Sequence, residues 1–185
     1  GRAPQYRELF PAMIEDWRQA WGQGDFPFGF VQIAPYGYGN DTGQAAGLRE
    51  AQTMTLSSVN TGMAVTIDLD NAGDIHPPNK IDVGERLARW PLAKVYGREV
   101  ACSGPLYRGI SVRGETLTID FHHVEGGLMA GRLEGIGKLT RQPDALLNGF
   151  ELCGEDGKWH AAKARIRGSS VVVSSPGVKQ PVAVR

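Results

Sequence analysis

Two kinds of hydrophobic periodicity divide the sequence, and this division constrains the fold more than any other feature. Over residues 5–21, apolar side chains recur at steps of three and four, with Arg18 among the polar residues of the opposite face. Residues 117–121 alternate apolar and polar side chains, the pattern of a strand with one buried face. The change of period predicts an α/β layer followed by an antiparallel β unit.

The first half of the sequence alternates between helix-like and strand-like segments. Helices are predicted over residues 5–21, 44–58 and 79–96, and buried strands over residues 28–34 and 61–69. This alternation is typical of right-handed crossovers onto a parallel sheet. Because only two strands precede residue 100, we expect either an unusually small fold or a sheet that continues outside this chain.

Turn signals organise the second half. Asp156-Gly157 separates two short apolar segments and predicts a β-hairpin with a two-residue turn. Gly168 stands between two further strand-like segments and predicts a second hairpin. The change of pattern predicts a domain boundary near residues 105–112, and we divide the chain into domains 1–108 and 109–185.

Charge and hydropathy exclude some classes of partner. The 185 residues carry 20 basic and 20 acidic side chains, so the formal net charge is zero and gives no electrostatic reason to expect a nucleic acid. No apolar run approaches the ~20 residues that span a bilayer. We therefore expect neither a nucleic acid nor a membrane as a partner.

The cysteines and most histidines give no sign of a metal site. Cys102 and Cys153 are too few for a structural zinc site. Their spacing leaves open whether they pair, although a small buried hydrophobe is the more frequent role. His122, His123 and His160 lie in strand-like segments and favour surface or interface positions. We therefore expect neither a metal nor a cofactor.

One loop concentrates the candidates for catalysis. Asp74 and His76 follow the predicted strand 61–69, and ligands of parallel sheets bind beyond the carboxyl ends of the strands. An aspartate can fix the tautomer of a histidine that takes a proton from a nucleophile. The alternative is structural, with Asp74 in an Asx turn and His76 in a helix-capping loop.

No serine stands in the sequence context of a nucleophile. None lies in a Gly-x-Ser-x-Gly motif. The nearest candidate, Ser103, lies at the crossing between the two predicted domains. The residues alone therefore indicate a possible base without its nucleophile.

A series of segments in the first 110 residues matches a known family in the same order. These segments are residues 6–18, 21–28, 30–35, 48–52, 62–68, 74–77, 84–88 and 103–107. Together they resemble the sialate O-acetylesterase family of SGNH hydrolases. The resemblance is looser in the β half.

The resemblance implies a fold and two catalytic residues. It implies an incomplete flavodoxin-like parallel layer followed by an antiparallel β-sandwich-like unit. It also implies His76 as the catalytic base and Asp74 as the carboxylate that orients it. The family's nucleophilic serine and oxyanion-hole asparagine stand in Gly-Gln-Ser-Asn and Gly-Glu-Ser-Asn types of motif, which this sequence lacks. We therefore expect an N-terminal remainder to supply both, and the 185-residue chain alone to be inactive.

Two functions of different class follow. The first is the C-terminal part of a carbohydrate O-acetylesterase, acting on an acetylated sugar without a cofactor. By resemblance its location is periplasmic or extracellular. The alternative is a non-catalytic carbohydrate-binding or structural β module, in which Tyr36, Tyr38 or Trp159 could stack on sugars.

Overall fold

The computed structural model divides the chain into two compact units. The first, here called the α/β unit, comprises Gly1–Ser103 and Leu133–Lys138, and the second, the β unit, comprises Gly104–Arg132 and Leu139–Arg185. The structure describes residues 2–37, 43–69, 73–76, 78–133, 136, 139–142 and 147–185, so Tyr38 lies outside the described residues. Among the described helices, none is long and apolar enough to cross a membrane.

The α/β unit contains three helices and two parallel strands, as the alternation predicts. In chain order these are α1 (Ala3–Trp21), β1 (Phe28–Val31), α2 (Gln44–Met54), β2 (Thr61–Ala64) and α3 (Lys80–Lys94). β1 and β2 pair in parallel, and both are shorter than the predicted strands because the chain leaves the ladder after Val31 and Ala64. A 3₁₀ turn at Thr55–Ser57 ends the segment predicted as the second helix.

One face of the parallel pair packs against α1. The Phe10 ring meets the Phe30 ring edge to face, with centroids 5.0 Å apart, and Trp17 packs on Phe28 at 5.8 Å. Phe28 and Phe30 share this face because alternate residues of a strand point the same way.

The opposite face carries two glycines and packs against α3. Gly29 and Gly62 are partners in the β1–β2 register. A Cβ atom on Gly62 would lie 2.1 Å from the Trp90 ring, and one on Gly29 would lie 3.2 Å from Leu87. The glycine pair therefore lets α3 approach the sheet backbone closely.

Arg18 is buried, although the helical pattern places it on the polar face of α1. It follows Phe10 and Ile14 at steps of four, and its residue exposure is only 5%. One guanidinium nitrogen, Nη2, donates to the carbonyl oxygens of Phe26 and Val59, both at 2.8 Å. Arg18 therefore joins α1 to the turns that precede β1 and β2.

The β unit is built from antiparallel sheets. Its strands are β3 (Leu106–Arg113), β4 (Thr116–His122), β5 (Gly131–Arg132), β6 (Thr140–Arg141), β7 (Glu151–Gly154), β8 (Trp159–Ala161), β9 (Lys163–Arg167), β10 (Ser170–Ser174) and β11 (Pro181–Val184). The sheet orders are β3-β4-β10-β9, β11-β7-β8 and β5-β6. One hydrophobic cluster joins residues of the two larger sheets, namely Leu117, Ile119, Leu152, Ala164, Val171, Val173 and the loop residue Val178.

Both predicted hairpins are present, but the strand before them was missed. β7 pairs with β8 and β9 pairs with β10, although four residues rather than two separate β7 from β8. β3 pairs with β4 along its length and was not predicted, because its side chains are mostly exposed and show no alternation. The compact units change at residues 103 and 104, whereas the predicted division between 108 and 109 would fall inside β3.

Candidate active site

Asp74 and His76 lie together in the segment that connects β2 to α3. The Oδ1 atom of Asp74 accepts a hydrogen bond of 2.8 Å from the backbone N–H of His76. Both residues are exposed, and so is Ile75 between them. The structure therefore shows the Asx turn of the structural alternative, and it brings both candidate side chains onto one turn.

The Asx turn and a catalytic role are compatible. Among the described residues, no hydrogen bond joins the His76 imidazole to the Asp74 carboxylate. A carboxylate has about four acceptor positions on its two oxygens, so Oδ2 can accept from an imidazole while Oδ1 holds the turn. The turn holds the two residues close together and leaves the His76 imidazole outside the hydrogen bond that forms the turn.

The first end of this connecting segment is tied to both strands and to α3. The Thr66 hydroxyl donates to the carbonyl of Gln32 at 2.9 Å, just beyond β1. Arg86 of α3 donates from Nη1 to the carbonyl of Val65 at 2.8 Å. The same guanidinium binds both carboxylate oxygens of Asp68, at 2.6 and 2.7 Å.

The pairing of Asp68 with Arg86 shifts the pKa of both groups. Partial burial raises the pKa of Asp68, but the hydrogen bond and positive charge of Arg86, with a backbone hydrogen bond, outweigh it and hold the pKa below its usual value. The hydrogen bond to Asp68 raises the pKa of Arg86 despite the opposing effect of burial. Both groups are therefore charged at neutral pH, and the pair persists there.

The second end of the segment is held at the start of α3. Asn79, at 2% exposure, caps the helix by accepting from the backbone N–H of Asp82 at 3.1 Å. Its side-chain amide also donates to the Asp82 carboxylate at 2.6 Å. The same helix therefore fixes the chain on both sides of Asp74 and His76.

The carboxyl end of β1 is held by α2 through side chains. Gln52, at 4% exposure, accepts from the N–H of Ile33 at 3.0 Å and donates to the carbonyl of Val31 at 3.3 Å. Its amide thus takes the place of a neighbouring strand's peptide group. Arg49 adds a bond of 3.3 Å to the carbonyl of Ala34, two residues before Tyr36.

The remaining candidates lie apart from this turn. His122 ends β4 and His123 follows it with a φ of 59°, while His160 is half-buried in β8, where it would meet a Cβ on Gly177. Cys102 and Cys153 are both free thiols, and the latter is buried as a small hydrophobe would be. Among the described residues, no group of three or more His, Cys, Asp or Glu side chains could hold a metal ion.

Sequence reasoning missed the residues that support the turn. Arg86, Asp68 and Gln52 are hydrophilic residues in amphipathic or apolar segments, and nothing in the periodicity distinguishes them from surface residues. The available signal is that all three stand inside the segments that carry the family resemblance. Their hydrogen bonds join those segments in pairs: residues 62–68 with 84–88, and 30–35 with 48–52.

Comparison with known proteins identifies relatives of one kind. No protein-family model matches the chain. The sialate O-acetylesterase of Mus musculus is 38% identical over 126 residues, covering 58% of this chain and 23% of the mouse protein. That of Rattus norvegicus is 35% identical over 137 residues, covering 63% of this chain and 25% of the rat protein. The matched region thus spans about a quarter of these curated relatives.

A solved structure matches nearly the whole chain. A carbohydrate acetylesterase from Xanthomonas citri superposes with a TM-score of 0.84 at 38% identity, covering 98% of this chain and 40% of that protein. By their names, these relatives are carboxylic ester hydrolases. The names agree with the family that the ordered segments resemble. Over the matched residues, the chain is therefore similar to the sialate O-acetylesterase family.

Proposed function

We propose that this chain supplies the general base and its orienting carboxylate to a carbohydrate O-acetylesterase that hydrolyses acetyl esters on sugars. The observation that carries the proposal is the 38% identity, over 98% of the chain, to a protein described as a carbohydrate acetylesterase. This match accounts for 40% of that protein. The proposal places the nucleophilic serine and the oxyanion-hole asparagine in a preceding part of the polypeptide.

His76 acts in both halves of the proposed reaction. Its imidazole takes the proton from the serine hydroxyl as the oxygen attacks the acetyl carbonyl, and then gives that proton to the departing sugar oxygen. In the second half it takes a proton from water as the water oxygen attacks the acetyl-enzyme, and it then returns that proton to the serine oxygen as acetate leaves. Asp74 orients the imidazole and stabilises its positive charge. The exposure of both residues leaves them accessible to a substrate.

The proposal includes a finer description of the fold. The α/β unit would be part of a flavodoxin-like layer, since helices pack on both faces of its parallel strands. The β unit would be β-sandwich-like, since its two larger sheets share one hydrophobic cluster. Family resemblance favours a periplasmic or extracellular location.

The test is His76→Ala in the complete protein that carries this sequence. We expect kcat for an O-acetylated sugar to fall by on the order of 10³ or more, because members of a triad act as a unit. His122→Ala, which alters an exposed histidine of the β unit, is the matched control and should leave kcat unchanged. Near-normal turnover by His76→Ala would contradict the assignment.

A second assay locates the nucleophile. The purified 185-residue chain should hydrolyse p-nitrophenyl acetate no faster than a buffer blank, because none of its serines stands in a nucleophile motif. Turnover that disappears in Ser103→Ala would show instead that the chain contains its own nucleophile.

The non-catalytic alternative makes a different prediction. A sugar-binding β module would bind an acetylated sugar through an accessible aromatic ring, without turnover in the complete protein. Trp159 is the residue of the β unit proposed above to stack on sugars, and the Arg185 guanidinium already lies over its ring, 4.3 Å from the centroid. Arg185 is in turn bound to Glu151 at 2.7 Å. The esterase reading is therefore favoured.

A further inference from the structure

Arg86 is the residue that links the candidate active-site turn to the body of the α/β unit. Its Nη1 atom binds two parts of the chain at once, the Val65 carbonyl at 2.8 Å and the Asp68 carboxylate at 2.6 Å. Val65 directly follows the last residue of β2. The guanidinium therefore holds the first residues of the path that leads from the sheet to Asp74 and His76.

The geometry of these contacts restrains direction as well as distance. Two parallel N–H···O bonds between a guanidinium and a carboxylate fix their relative orientation, which a lysine ammonium cannot do. Leu69, next to Asp68, is buried at 1% exposure, and its N–H donates to the Thr66 carbonyl at 3.0 Å. The segment 65–69 is thus a fixed turn attached to α3, although Ile67 within it is exposed.

Stability alone does not explain this arrangement. The side chains of Arg86 and Asp68 are 34% and 47% exposed, and ion pairs at such exposed positions contribute little to stability. The α3 helix is already attached to the sheet by Trp90 and Leu87. What the pair adds is a defined direction for residues 65–69, where the chain leaves β2.

We propose that Arg86 is a positioning residue for the esterase reaction: through Val65 and Asp68 it sets where the Asp74–His76 turn stands relative to the carboxyl end of β2. This inference rests on the proposed function, in which His76 is the base. Arg86 touches neither Asp74 nor His76, so it acts through the segment 65–69 and not on the substrate. A displacement of about 1 Å in a catalytic group can lower a rate about 10²-fold, which sets the size of the expected effect.

The first arm of the test measures kinetics in the complete protein. Arg86→Ala should lower kcat for an O-acetylated sugar about 10²-fold and leave KM within about threefold, because the base is misplaced while the sugar contacts remain. Arg86→Lys should recover only part of kcat, since the charge returns without the two-pronged contact. Asp68→Asn should have a smaller effect than Arg86→Ala, because the bond from Arg86 to Val65 remains.

The chain offers a matched control on the same helix. Arg89 forms an exposed ion pair with Glu85, with side chains 44% and 57% exposed, and lies three residues after Arg86. Arg89→Ala removes an equal charge from α3 without contacting the segment 65–69. It should leave kcat and KM unchanged.

The second arm does not depend on activity. Amide hydrogen exchange in the complete protein should become faster at the His76 N–H in Arg86→Ala, since this N–H holds the Asx turn, and should be unchanged in Arg89→Ala. Unchanged exchange at His76, or an unchanged kcat in Arg86→Ala, would overturn the positioning role. If His76→Ala retains activity, the proposed function itself fails and this inference falls with it. Faster exchange in Arg86→Ala would then report a structural contact only.

Discussion

Both units of this chain bury apolar side chains, but in the α/β unit polar side chains also hold the ends of the strands. In the β unit, aliphatic side chains from two antiparallel sheets form one buried cluster around Leu117 and Leu152. In the α/β unit, buried or half-buried polar side chains reach backbone carbonyls at the points where strands begin and end: Arg18 before β1 and β2, Gln52 after β1, and Arg86 after β2. In the unit that contains the candidate active site, polar side chains therefore hold the loops in place through hydrogen bonds to their backbone.

The largest expected effect on stability lies in the β unit. Leu117→Ala removes a side chain at 0% exposure and leaves a cavity in the cluster, so we expect the free energy of unfolding to fall by about 3 kcal/mol. Urea denaturation provides the measurement. Val112→Ala, at 47% exposure on the neighbouring β3, is the control and should change the free energy by less than about 0.5 kcal/mol. A small loss in Leu117→Ala would mean that the cluster does not stabilise this unit.

The second prediction concerns the polar contacts of the α/β unit. Arg18→Ala leaves the carbonyls of Phe26 and Val59, both in part-buried hydrogen bonds, without this donor, and the loss of a partner at such a site costs about 1–3 kcal/mol. We therefore expect a loss of about 2 kcal/mol in urea denaturation. Arg7 lies on α1 like Arg18 and forms an exposed ion pair with Glu50 of α2. Arg7→Ala should therefore lower the free energy of unfolding by less than about 1 kcal/mol. Equal losses in the two variants would show that the hydrogen bonds of buried Arg18 stabilise the α/β unit no more than an exposed ion pair does.

The smallest effect is a dependence on pH. The pKa of Asp68 is lower in the folded chain than in the unfolded chain, so its contribution to stability is present above the unfolded pKa of about 3.9 and is lost as pH falls through the folded pKa. Because the pair is partly exposed, we expect the free energy of unfolding of the wild type to exceed that of Asp68→Asn by less than about 1 kcal/mol at pH 6.

This gap should close as the pH falls through the folded pKa of Asp68, which lies below its unfolded value, since the carboxyl group is then protonated and as uncharged as the asparagine amide. Free energies of unfolding of the two proteins at a series of pH values give the gap directly. Glu85→Gln, in the exposed pair with Arg89, should show a smaller gap. A gap that widens in acid would contradict a folded pKa of Asp68 below its unfolded value.

The sequence predicted the elements whose pattern is periodic and failed where a side chain's partner is distant along the chain. The α1 helix, the two parallel strands and the β7–β8 and β9–β10 hairpins follow from local spacing and turn residues. Arg18 was assigned to the polar face of α1 because periodicity counts a charge as exposed, whereas its partners lie 8 and 41 residues away. β3 was missed because an exposed strand has no apolar alternation.

The sequence predicted where the candidate site lies, but not the side chains that hold the chain around it. Asp74 and His76 could be named because a parallel strand ends shortly before them and because a family resemblance covers them. Their catalytic role stays a prediction. The Arg86–Asp68 pair spans 18 residues, and no rule of spacing relates a helix residue to the turn after the preceding strand.

The glycine pair of the parallel sheet, Gly29 and Gly62, also affects the segment that carries Asp74 and His76. With no side chain at Gly62, the Trp90 ring lies directly on the strand backbone, and this contact sets the height of α3 above the sheet. Asn79 and Arg86 move with α3, because the one caps the helix and the other belongs to it. A methyl group at residue 62 would therefore shift both contacts of α3 with the connecting segment together, on either side of Asp74 and His76.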